Sequence, residues 1–104
     1  MGSKVFTNQA PATATVTLYA RNGDDITSYA AAITANVAPG QQATIEYPQT
    51  FVNGFIITVP HGTDVYTSQG FSTKRGTQLD SMLNTNAKFT IALSNNGLAV
   101  TGHN

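Results

Sequence analysis

The stretch Thr13-Ala14-Thr15-Val16-Thr17-Leu18-Tyr19-Ala20-Arg21, TATVTLYAR, alternates without a break. Ala14, Val16, Leu18 and Ala20 fall on one face, and Thr13, Thr15, Thr17, Tyr19 and Arg21 on the other. A period of two is the mark of a β-strand with one buried face, so the first set reads as core. The second set is unusual. A solvated strand face normally carries Lys and Glu, whereas this one presents three threonines and a tyrosine before its first charge.

Outward from this strand, segments rich in Thr, Val, Ile, Tyr and Phe recur between Gly, Pro and Asn, the pattern of short strands joined by turns. Strands are expected near Lys4–Thr7, Thr13–Arg21, Ala30–Val37, Gln42–Tyr47, Phe51–Val59, Asp64–Ser68, Ala87–Ser94 and Leu98–Thr101. Asn22-Gly23 is a two-residue hairpin signal that would set Arg21 opposite Asp24 as a cross-strand ion pair. Asn96-Gly97 repeats the device, Pro39-Gly40 marks a further turn, Pro48 a break or bulge, and Pro60-His61-Gly62 the end of a strand.

Two segments also fit helical spacing. Between Asp25 and Val37, Ile26, Tyr29, Ala30, Ile33 and Val37 share a helical face, but the turn signals on both sides favour a strand within two consecutive hairpins. In Thr77–Asn84, Leu79, Met82 and Leu83 stand at i, i+3, i+4 behind a Thr77 cap, which predicts one short helical turn. The expected fold is therefore all-β: a small antiparallel β-sandwich, immunoglobulin-like or jelly-roll, with a small closed barrel as the alternative. Its strands would form one domain spanning residues 1–104. Helices long enough for parallel βαβ units are missing from the pattern.

The chain has 40% hydrophobic residues, and its apolar runs, Phe55-Ile56-Ile57 among them, are too short for a helical membrane span. The start MGSKVFTNQA has no apolar h-region, so synthesis in the cytoplasm or association with a virion is expected unless a leader has been removed. There is no cysteine, which excludes disulfides and thiolate metal sites. Charge is the most unusual property: five basic and five acidic residues cancel, and 10% charged residues is well below the ~25% of typical soluble domains. Sixteen threonines and nine asparagines take their place, so the surface is polar but largely uncharged.

Candidate chemistry is sparse. His61 and Asp64 would need Ser68 or Ser72 to form a triad, and no Gly-x-Ser-x-Gly context surrounds either serine. His61, Asp64 and His103 would hold zinc only if the chain end folded back onto the His61 turn. Asn22, Asp24 and Asp25 offer calcium too few carboxylates, and no phosphate-cradling glycine loop is present. Lys74-Arg75 is the only basic cluster, far short of a duplex-binding surface. The expectation is a non-catalytic chain with no metal, no cofactor and no nucleic-acid partner.

The threonine face then suggests contact. Threonine is more easily desolvated than Lys or Glu and has little rotamer entropy to lose, so Thr13, Thr15, Thr17 and Tyr19 form a candidate interface with further copies of the chain. Net neutrality promotes such association, and the leading expectation is a structural subunit of an ordered assembly such as a filament, capsid or inclusion lattice. A regular threonine array would need the same column on neighbouring strands, and Thr44, Thr58 and Thr90 stand alone in theirs. The alternative is a lectin-like module in which Asn22, Asp24, Asp25, Asn53, His61 and Asp64 bind glycan hydroxyls.

Overall fold

The computed structural model describes residues 2–22, 31–49, 51–71, 78–94 and 97–103. They form eight strands and one helix: β1 Gly2–Asn8, β2 Ala14–Arg21, β3 Ala31–Val37, β4 Gln42–Tyr47, β5 Phe51–His61, β6 Asp64–Phe71, α1 Gln78–Thr85, β7 Lys88–Ser94 and β8 Gly97–His103. The all-β expectation holds, as does the helical turn before β7. The strands make two four-stranded sheets, ordered β4-β1-β7-β8 and β3-β2-β5-β6. Every neighbouring pair is antiparallel except β1 and β7, which run parallel.

The core lies between the sheets and follows from the alternation. Ala14, Val16, Leu18 and Ala20 of β2 are buried and meet Val52, Phe55, Ile57 and Val59 of β5 in one layer. Phe6, Ile45, Phe89 and Ile91 supply the other layer, where the Phe6 and Phe89 rings stack with centroids 5.1 Å apart. Leu83 of α1 is buried, with Leu79 and Met82 packed against the same core, as their helical spacing predicts. Leu79 reaches over Gly70 of β6 so closely that a β-carbon there would lie 3.2 Å from its methyl group.

Two turn predictions change on meeting tertiary structure. The β3 strand is confirmed over the helical alternative, but its register places Ala31 opposite Ala20, where a two-residue loop at Asn22-Gly23 would have put Asp25. Arg21 instead faces Phe51 of β5, and Asp24 and Asp25 lie outside the described residues. Pro39-Gly40 does make a tight turn: Gln41 N–H donates to the Ala38 carbonyl at 3.0 Å, and Gly40 has φ of 76°. Proline then glycine in these positions suits a type II turn. The turn joins the two sheets and is no hairpin, because β4 pairs with β1.

Asn8, at the end of β1, holds that corner. Its side chain is fully buried, donates to the carbonyls of Ala12 and Val37 at 2.8 Å each, and accepts from Ala10 N–H at 2.9 Å. Its backbone closes the site by donating to Gln41 O and accepting from Gly40 N–H. A second amide, Asn84 of α1, completes β5 where β6 has ended: it accepts from Val52 N–H at 2.8 Å and donates to Val52 O at 3.1 Å. The side chain thereby stands in for a strand partner.

Candidate contact face

The registers bring together what the sequence shows apart. On the outer side of β3-β2-β5-β6, Asn36, Thr15, Thr58 and Thr67 form one row across four strands. Thr34, Thr17, Ile56 and Gln69 form the next, and Ala32, Tyr19, Gly54 and Phe71 a third. Pro60 and Val65 extend the face at the β5–β6 end. With strands ~4.8 Å apart and rows ~6.7 Å apart, this is a continuous two-dimensional patch. Thr58 is therefore alone only along its own strand, since Thr15 and Thr67 flank it in space.

None of these row residues is charged. Three of the threonine hydroxyls are tied laterally: Thr15 Oγ1 donates to Asn36 Oδ1 at 3.0 Å, and Thr17 and Thr34 share a hydrogen bond of 3.1 Å. This leaves the threonine methyl groups as the less polar part of the face. Tyr19 and Phe71 pack with ring centroids 5.0 Å apart over Gly54, where a β-carbon would approach Phe71 to 2.6 Å. Among the described residues, the exposed large hydrophobic side chains are Val65, 64% exposed, and Phe71, 36% exposed, both on this face. Arg21 continues the Tyr19 side of β2 but is buried, its guanidinium 4.8 Å above the Phe51 ring and hydrogen-bonded to Asn53.

The sequence-predicted contact residues Thr15, Thr17 and Tyr19 thus sit in the middle of the patch, with Thr13 exposed just before β2. What sequence reading missed are Ile56, Thr58, Val65, Thr67, Gln69 and Phe71. Alternation in Asp64–Phe71 carried a signal for the last four, with Val65, Thr67, Gln69 and Phe71 at successive odd positions.

Of the proposed glycan-binding residues, Asp24 and Asp25 lie outside the described residues, and the described four fall into two separate pairs. Asn53 is buried against Arg21 near the start of β5, whereas His61 ends the same strand, ~26 Å away by strand rise. Asn22 lies beyond β2, near the Asn53 end. His61 and Asp64 face each other across the Gly62-Thr63 turn, where Gly62 takes φ of 65°. Beside them a cleft of about 230 Å³ is lined by Pro11, His61, Tyr66, Leu93 and Ser94, with the His61 and Tyr66 rings 5.8 Å apart. Ser68 pairs with Ile57, four residues along β5 from His61, and Ser72 lies outside the described residues.

His103 is at the far end of β8, its Nε2 2.9 Å from Thr90 Oγ1, and no cluster of three metal-ligating side chains occurs among the described residues. A larger cleft of about 450 Å³ lies at the other sheet's edge, between Gly2, Ser3, Glu46, Tyr47 and Pro48. Burial raises the Tyr47 phenol above its ordinary value. Burial also lowers the pKa of Lys4, whose ammonium points inward and donates to Asn86 O at 2.5 Å. No described helix is long and apolar enough to cross a membrane. Neither a protein-family model, nor a curated protein, nor a solved structure matches the chain.

Proposed function

We propose that the chain is a non-catalytic structural subunit that associates with copies of itself, using the outer face of β3-β2-β5-β6. One observation carries the reading: four adjacent strands present Thr, Asn, Gln, Ala, Gly, Ile, Tyr and Phe in register with no charge in the rows. Burying such a face desolvates hydroxyls of which Thr15, Thr17 and Thr34 already bond within their rows, and neither side has to give up the hydration of a lysine or carboxylate. The zero net charge removes long-range repulsion between copies. An ordered assembly such as a filament, capsid or inclusion lattice is the setting in which a neutral contact face is used repeatedly.

Light scattering coupled to size exclusion over a wide concentration range tests this directly. Mass should rise with concentration beyond that of one 10.9 kDa chain. A constant monomer mass would refute it.

A second reading, glycan binding, draws on the cleft beside His61 and Tyr66, whose rings and the neighbouring Ser94 hydroxyl are suited to stacking and hydrogen bonding with a sugar. Retention on a glycan array that is lost in His61→Ala would favour it over self-association.

A further inference from the structure

Resting on that reading, we infer that β6 is a self-complementary edge: it pairs antiparallel with β6 of a second copy, about a two-fold axis at Ser68. β6 is the last strand of its sheet, bound on one side by β5 from Gly54–Phe71 to His61–Asp64. Its other side is hydrogen-bonded to no strand among the described residues, and β8 of the opposite sheet approaches it without pairing. Exposed edges are normally blunted by Lys, Pro or a bulge. The run Asp64–Phe71 contains no Lys, Arg or Pro, its only charge is Asp64 at the turn, and its ladder to β5 is unbroken.

The side chains choose the partner and the register. Val65 and Phe71 stand at opposite ends of the same face, with Thr67 and Gln69 between them. Antiparallel pairing centred on Ser68 sets Val65 against the partner's Phe71 and Thr67 against the partner's Gln69. It also sets Tyr66 opposite the partner's Gly70 on the inward side, where Leu79 already packs over the glycine. A slip of two residues puts Val65 against Gln69 and carries Phe71 past the Asp64 end of the partner's β6. A slip of one turns every outward side chain inward. The β3 edge offers Ala32, Thr34 and Asn36 outward and has no comparable apolar pair.

The result is a continuous sheet of two four-stranded halves, which doubles the width of the neutral face. Because the contact is isologous it closes at a dimer, and further growth falls to the faces.

The register makes the test specific. In T67K/Q69K each new ammonium lies opposite another, whereas in T67K/Q69E each lies opposite a carboxylate. The first should raise the dimer dissociation constant roughly tenfold or more, and the second should leave it within about threefold of wild type. The chain has no native cysteine, so S68C places a single thiol on the axis. Directly opposed residues of an antiparallel pair have Cα atoms ~4.5–5.5 Å apart, within disulfide range. Mild oxidation should give a covalent dimer from S68C and none from T34C on β3.

Edge pairing is overturned if the two charge variants associate alike, or if S68C cross-links no better than T34C. If wild type associates and Ile56→Lys abolishes it while both edge tests fail, the face reading stands and the edge pairing alone is wrong. A wild type that is monomeric throughout overturns both.

Discussion

The two outer faces of the sandwich differ less in secondary structure than in charge. On β4-β1-β7-β8 the rows run Thr44, Val5, Lys88, His103 and Gln42, Thr7, Thr90, Thr101, with Glu46 beside Ser3 at one edge. On β3-β2-β5-β6 the three rows between Ala32 and Phe71 carry no charge. Both faces contain threonine, so threonine content alone does not mark a contact surface. The difference lies in what must be desolvated. An ammonium or carboxylate brought against a neighbour loses several kcal/mol of hydration unless it finds a partner, while hydroxyls already bonded along a row lose little.

The sharpest way to break this contrast is to move a charge from one face to the other. Ile56→Lys, at the centre of the neutral face, should abolish growth beyond the edge-paired dimer, a loss of several kcal/mol of face-contact free energy. Thr90→Lys on the opposite face should leave the assembled mass unchanged. Thermal melts of the two monomers should agree to within about a degree or two if neither fold is harmed.

Next in size is a change that treats both faces alike. Asn8→Ala removes three side-chain hydrogen bonds at the corner between the sheets and strands Val37 O, Ala12 O and Ala10 N–H. It should cost about 3 kcal/mol in urea unfolding. Association should weaken only as far as the folded fraction falls, which separates damage to the scaffold from damage to the face.

A smaller effect tests the charge buried behind the other face. Lys4 titrates below its ordinary 10.5 in the folded chain because burial disfavours the ammonium. The unfolded chain therefore binds the extra proton, and stability should rise with pH as 10.5 is approached from below. Tyr47 works in the opposite sense: the folded chain keeps its proton above 10.0, so stability should fall once that pH is passed. Lys4→Met should flatten the rise without altering the fall, as read from denaturation midpoints across the alkaline range.

The smallest expected effect is that of salt. A contact without formal charges should change its dissociation constant by less than about threefold between ~50 mM and ~500 mM salt, although the Debye length shrinks several-fold. A steep salt dependence would point to Glu46, Lys88 or the other charged positions.

Much of this was legible from alternation alone. The run Thr13–Arg21 gave the buried and open faces of β2, and Leu79, Met82 and Leu83 gave the buried side of α1. What could not be read was lateral. Nothing in the sequence around Thr58 says that Thr15 and Thr67 will be its neighbours, because strand order is a property of the whole chain. Pro39-Gly40 announced a turn but not that it leads from one sheet to the other. Arg21 was misplaced for a related reason: Asn22-Gly23 is a strong local hairpin signal, and the β2–β3 ladder overrides it with a register six residues longer.

The most direct test of the neutral-face account compares the solution mass of wild type and Thr15→Lys at matched concentrations by light scattering. Thr15 sits between Asn36 and Thr58 in the row that begins the face. In an isolated domain the substitution should shift stability by roughly half a kcal/mol or less. The account predicts a wild type whose mass grows with concentration beyond that of two 10.9 kDa chains, and a variant with the same melting behaviour whose mass does not pass that of the edge-paired dimer. A variant that assembles as fully as wild type would show that the face of Thr15, Thr17 and Tyr19 stays in water.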